Sequence, residues 1–158
     1  GVDAEESEIY QAINFFPGSG RRFEKLAENL YSDYGHHPVE IQATLQMAKE
    51  LSNDVVLVYQ PHQNVRQHEI IGQYTDDIFH DANEIYWLPT YLTRENPDLP
   101  TLTPQQLAKN IDKEKVHFAE LDDSLWQEIT AARNSEKLVL CMGAGTIDGW
   151  IREQLAKN

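Results

Sequence analysis

Two five-residue runs, Val55-Val56-Leu57-Val58-Tyr59 and Leu138-Val139-Leu140-Cys141-Met142, show no alternation between apolar and polar residues. A strand with one wet face alternates, so an unbroken run of this kind needs cover on both faces, and parallel sheets with helices packed above and below supply it. Each run ends in a short polar segment that leads into a helical pattern. That sequence of apolar strand, polar turn and amphipathic helix restricts the chain to an α/β architecture.

The remaining pattern repeats the same unit. Pro38 suits the first turn of a helix, and Ile41, Leu45, Ala48 and Leu51 then recur on one face, which predicts a helix over about 38–52. A second helix is expected over about 66–80, followed by a strand at Ile85-Tyr86-Trp87-Leu88 and a loop marked by Pro89, Pro97 and Pro100. Thr103-Pro104 opens a helix expected to reach about 110, Val116, Phe118 and Leu121 suggest a short strand, and Asp122 or Asp123 caps the next helix. A further strand is expected at about 28–33, and Gly143-Ala144-Gly145 turns the last strand into a terminal helix. Strands and helices alternating at this spacing predict an open, mostly parallel, Rossmann-like sheet with right-handed crossovers and helices on both faces.

One compact domain is expected over residues 21–158, preceded at 1–20 by a leading helix and a linker broken by Pro17, Gly18 and Gly20. The 158 residues suffice for one ordinary core. Acidic residues outnumber basic ones 26 to 13, and the resulting charge of −13 leaves no basic stripe for a nucleic-acid backbone. No apolar run approaches the ~20 residues needed to span a bilayer, so neither nucleic acid nor a membrane is expected as a partner. A single cysteine, Cys141, sits inside an apolar run, which fits a reduced core thiol and a cytoplasmic setting.

In open α/β sheets ligands bind beyond the carboxyl ends of the strands. Three polar segments follow predicted strands: Ser32 to Pro38, Gln60 to Arg66, and Gly143 to Thr146. Taken singly, loop Asp and His residues cap helices or bind backbone; three such loops together point to a polar pocket on a rigid frame. No metal site is expected, because the adjacent His36 and His37 point apart and no cysteine lies near them in sequence. Gly143-Ala144-Gly145 is read as a tight strand-to-helix turn, since Gly149 comes one position too late for a dinucleotide fingerprint. Arg21-Arg22-Phe23-Glu24 reads either as an anion grip or as a surface ion-pair cluster.

In order, Gly20-Arg21-Arg22-Phe23-Glu24, Asp33-Tyr34-Gly35-His36-His37-Pro38-Val39-Glu40-Ile41, Tyr59-Gln60-Pro61-His62 and Met142-Gly143-Ala144-Gly145-Thr146-Ile147 resemble the landmarks of the Mur ligase family, most closely its alanine-adding branch. The resemblance runs over nearly the whole chain. It implies the carboxy-terminal domain of a three-domain, ATP- and magnesium-dependent amide ligase of peptidoglycan synthesis, whose substrates are UDP-N-acetylmuramate, L-alanine and ATP. No G-x-x-x-x-G-K-[ST] occurs in the sequence, so ATP and Mg are expected to be held mainly by a central domain whose tail would be residues 1–20. The chain alone is expected to be inactive, with no catalytic residue of its own in isolation.

Carried over by position, the resemblance gives Arg22, Asp33 and Tyr34 to ATP. Arg22 would reach phosphate and Asp33 the ribose hydroxyls. His36, His62, Gln63 and Arg66 fall to the incoming amino acid, with Tyr34 also lining the shared space. The family usually reads Q-P-H-R, whereas Gln63 here is uncharged, so carboxylate binding would lean on Arg66. Ser32 stands where a first Asp is common. Two other readings remain open: a free-standing α/β binding module without ligase activity, and a relative that adds a different amino acid or a peptide.

Overall fold

A computed structural model describes residues 22–157; the expected leading helix and linker at 1–20 lie outside the described residues. Six strands form one sheet: β1 Glu24–Ala27, β2 Leu30–Asp33, β3 Val55–Tyr59, β4 Glu84–Trp87, β5 Val116–Phe118 and β6 Leu138–Met142. Their order is β1-β2-β6-β3-β4-β5, and every pair is parallel except β1 with β2. The open, mostly parallel sheet expected from the sequence is therefore present. Between the strands run α1 Pro38–Leu51, α2 Asn64–Ile70, α3 Pro104–Leu107 and α4 Asp123–Asn134, with α5 Ile147–Ala156 after β6.

Strand alternation divides the core in two. Leu57, Tyr59, Leu140 and Met142 face Ile41, Leu45 and Ala48 of α1 and Ile70 of α2. Val56, Val58, Val139 and Cys141 face Leu125 and Ile129 of α4 and Ile147 and Ile151 of α5. All five residues of β3 and all five of β6 are buried, the cover that an unbroken apolar run requires.

Three expectations need correction. The helix expected over 66–80 ends at Ile70, continues as a 3-10 turn over Ile71–Gln73, and then gives way to turns. Tyr74 takes an extended backbone there and turns its fully buried ring inward, next to Phe79 and Trp87. Helix α3 stops at Leu107 rather than near 110. The strand expected at 28–33 begins at Leu30, because Glu28 and Asn29 form the turn of a β1–β2 hairpin, with Asn29 at φ 62, a left-handed conformation that asparagine tolerates.

Helices after β2 and β3 pack on one face, and the helix after β6 packs on the other. Since β6 lies between β2 and β3, loops leaving three neighbouring strands diverge and leave a crevice at their carboxyl ends.

Candidate functional site

The polar loops at this crevice bring four rings into one continuous chain. Tyr34, just past β2, meets His36 edge-on with centroids 5.8 Å apart. His36 meets His62 at 5.3 Å, and His62 stacks on Tyr91 at 5.6 Å with 20° between planes. Tyr91 belongs to the segment after β4, where a single parallel bridge with His62 prolongs the β3–β4 pairing. Its place in the sequence does not single it out, since a lone Tyr between proline-rich stretches gives no signal of what it stacks on.

Beneath the rings lies a buried hydrogen-bond network that joins the two histidine loops. The Tyr59 hydroxyl is 3.1 Å from the His36 carbonyl and 2.7 Å from the Tyr74 hydroxyl, which donates to Gln67 Oε1 at 2.6 Å. Gln67 Nε2 then donates to the His62 carbonyl at 3.0 Å. Burial pushes both phenols above their ordinary range, so they remain protonated donors at any physiological pH. Such a network fixes the separation of the two loops through side chains that never reach the surface.

Around the end of β2, Asp33 is 2% exposed and accepts the Phe23 N–H at 2.8 Å and the Gly35 N–H at 2.7 Å. Burial raises its pKa, against the lowering effect of those two N–H groups and of Arg22. Glu40 receives the N–H groups of His36 and His37 at 3.2 and 3.1 Å and lies 3.8 Å from Arg22. Burial would raise Glu40 as well, but those donors together with His36 and Arg22 hold it below the usual range. Both carboxylates thus serve backbone donors first, and among the described residues no group of three His, Cys, Asp or Glu side chains could hold a metal ion.

Beyond β3, Gln60 crosses to the last helix: its Nε2 donates to Thr146 Oγ1 at 2.9 Å and its Oε1 accepts the Ile147 N–H at 3.1 Å. Gly145 is held against Tyr91 so closely that a Cβ there would lie 2.6 Å from Tyr91 Cγ. The Gly143–Thr146 turn is therefore a structural junction between the loops after β6, β3 and β4. Gln63 caps α2 in a left-handed conformation, φ 68, and its N–H donates to the Tyr91 carbonyl at 2.7 Å. Glu95 accepts the N–H groups of Thr93, Asn64 and Val65 at 2.9, 2.9 and 3.0 Å, which ties the Tyr91 segment to the start of α2.

Burial lowers the His62 pKa, His36 and Arg66 lower it further, and Glu95 opposes them. The imidazole is consequently neutral at pH 7. Arg66 itself is exposed and paired with Glu69 at 3.1 Å on the same helix. So Tyr34, His36 and His62 are in ring contact, Arg22 and Asp33 cluster at the end of β2, and Gln63 and Arg66 stand at the start of α2. A cleft of about 460 Å³ between β5 and α4, lined by Tyr86, Phe118, Glu120 and Glu128 among others, is separate from these residues.

A family model described as Mur ligase, glutamate ligase domain, matches residues 21–145. A UDP-N-acetylmuramate–L-alanine ligase of Rickettsia massiliae (strain Mtu5) is 35% identical, over 92% of this chain and 32% of its own length. The enzyme of the same name from Rickettsia rickettsii (strain Sheila Smith) matches with the same identity and coverage. The chain thus spans about a third of the length of these relatives. Among solved structures, a murein peptide ligase from Psychrobacter arcticus 273-4 superimposes with a TM-score of 0.54 at 19% identity, covering 89% of this chain and 30% of the other. At that identity the likeness concerns the fold alone. No helix of the described residues is long and apolar enough to cross a membrane.

Proposed function

The chain belongs to the Mur ligase family as its carboxy-terminal domain, and from that premise we propose that it binds the incoming amino acid in an ATP-dependent UDP-N-acetylmuramate–L-alanine ligase of peptidoglycan synthesis. The observation that most supports this reading is the ring chain of Tyr34, His36 and His62 at the carboxyl ends of β2 and β3, the two strands that flank β6, in a chain 35% identical to ligases of that name.

In this reading the sugar-acid carboxylate takes the terminal phosphoryl group of ATP and becomes an acyl phosphate. The amino group of L-alanine attacks the carbonyl carbon, the C–N bond forms, the C–O bond to phosphate breaks, and the nitrogen loses a proton. Arg22, permanently charged and 40% exposed, serves phosphate, while Tyr34 serves the nucleotide and Asp33 its ribose. For Asp33 the two N–H groups already bound mean that its ribose contact uses the remaining lone pairs. His36 and His62 line the amino-acid space, and a neutral His62 keeps one ring nitrogen as a hydrogen-bond acceptor for an amine N–H. Gln63 supplies an uncharged donor and Arg66, released from Glu69, the cation for the alanine carboxylate.

Magnesium and most nucleotide contacts belong, in this reading, to the ATP-binding domain of the full-length enzyme. The chain alone then hydrolyses no ATP and binds alanine no better than millimolar, because an isolated half-site offers few contacts. The test is product formation: the full-length enzyme should release ADP only when UDP-N-acetylmuramate and L-alanine are both present, and the chain alone should release none. Ligation of a tripeptide in preference to alanine, or steady ATP hydrolysis by the isolated chain, contradicts the proposal.

A further inference from the structure

His62 has an unusual anchorage for a polar ring. Its Nδ1 is buried and makes no hydrogen bond among the described residues. Buried imidazole nitrogens are normally fixed by a partner that also selects the tautomer. Ring packing replaces such a partner here. Tyr91 stacks at 5.6 Å and 20°, whereas His36 approaches at 5.3 Å with its plane tilted by 55°. Of the two, the near-parallel Tyr91 covers a face of the imidazole.

Tyr91 is in turn held from three sides. Its backbone N–H donates to the Pro61 carbonyl at 2.8 Å and its carbonyl accepts the Gln63 N–H at 2.7 Å, so residues on both sides of His62 grip it. Gly145 lies close against its Cβ and Cγ from the turn after β6. Glu95, four residues on, binds three backbone N–H groups and locks the segment to α2. A half-exposed loop tyrosine rarely receives so much support.

We propose that Tyr91 is a positioning residue, which sets the plane of the His62 imidazole by stacking where no hydrogen bond does so. That His62 faces an amino-acid ligand rests on the function proposed above; that Tyr91 orients His62 does not. The carboxyl end of β4 thereby joins those of β2, β3 and β6 in building the site.

The test reads His62 in the chain itself, by NMR titration of its ring protons. In the native chain, ring-to-ring proton contacts between Tyr91 and His62 should be observed, and their absence overturns the proposal. Y91F keeps the stack and should leave the His62 shifts and midpoint as they are. Y91A uncovers the imidazole, so its midpoint should rise toward the ordinary histidine value and its ring shifts should move, while the remote His80 and His117 stay put. An unchanged His62 in a folded Y91A chain overturns the proposal, as does a Y91F chain that behaves like Y91A. Should Y91A not fold, Y91L, which keeps bulk but not a flat face, is read the same way. A failed alanine-ligation assay leaves this result untouched, and a failed titration leaves the ligase reading untouched.

Discussion

The hydroxyls of Tyr59 and Tyr74 lie 2.7 Å apart in the core, 0% exposed, directly between the two loops that carry His36 and His62. Two hydroxyl protons serve three contacts there, to the His36 carbonyl, to Gln67 Oε1 and between the phenols themselves. Geometry at the surface of this domain is thus set by polar groups in its interior, and removing one should be felt at both loops.

Tyr74→Phe deletes one hydroxyl and leaves the buried Gln67 Oε1 without its 2.6 Å donor. A loss of about 1 to 3 kcal/mol of unfolding free energy is expected, the range for an unsatisfied buried acceptor. Amide exchange in the segments 34–37 and 60–63 should quicken in the same variant. Denaturant midpoints and exchange rates equal to those of the parent would contradict the network.

Two glycines that look alike in the sequence should respond oppositely to alanine. At Gly145 a Cβ lies 2.6 Å from Tyr91 Cγ and 2.7 Å from Gln60 Oε1, so Gly145→Ala must displace the ring or the glutamine and should cost about 1 to 3 kcal/mol. At Gly149, inside α5, a Cβ meets nothing within 4 Å, and Gly149→Ala should gain about 0.5 to 1 kcal/mol through helix propensity. Urea unfolding of both variants checks the pair.

The acid limb of stability should contain opposing contributions. Asp33 has a folded pKa above its unfolded value, so its share of stability is present at low pH and lost as pH rises from the unfolded value, about 3.9, through the folded one. Glu40 and Glu95 are held below their unfolded values, so theirs is present above about 4.3 and lost as pH falls through the folded ones. Burial would raise Glu95 too, yet the N–H groups of Thr93, Asn64 and Val65 and the nearby His62 outweigh it. Asp33→Asn should therefore steepen the loss of stability on acidification, and Glu95→Gln should flatten it. Unfolding free energies between pH 3 and 7 decide, and a Glu95→Gln curve parallel to that of the parent removes Glu95 from the account.

Much of this architecture can be read from residue order, and the failures have local causes. Val55–Tyr59 and Leu138–Met142 carry no polar residue to blur them, and Pro38 and Asp122 mark their helix starts, so those elements lie where expected. Ile70, Tyr74 and Ile78 imitate helical spacing, but burial of Tyr74 at the centre of an aromatic cluster outweighs that local preference. Strand β1, Glu-Lys-Leu-Ala, is a short edge strand with no buried residue and hence no alternation to detect. At the site, the loops after β2 and β3 were legible because their residues are adjacent in sequence. Tyr91 and Gln67 were not, because each acts through a partner that only the fold brings near: Tyr91 on His62, and Gln67 on Tyr74, which in turn reaches Tyr59.

Arg66 offers the sharpest test of the amino-acid assignment, since its present partner must be exchanged for a ligand. The Arg66–Glu69 pair is exposed on both sides, 53% and 57%, and such i,i+3 pairs contribute only a few tenths of a kcal/mol. Glu69→Ala should accordingly leave stability within about 0.5 kcal/mol of the parent. In the full-length enzyme, Arg66→Ala should raise the alanine KM about tenfold or more, the cost of a lost guanidinium–carboxylate contact, with the ATP KM unmoved. Gln63→Arg places a second cation at the start of the same helix in a backbone conformation equally strained for both side chains, so it should lower the alanine KM without a stability penalty beyond about 0.5 kcal/mol. If Arg66→Ala leaves the alanine KM unchanged while Gln63→Arg lowers it, the carboxylate sits at the cap of α2 rather than one turn further along, and the role passes from Arg66 to position 63.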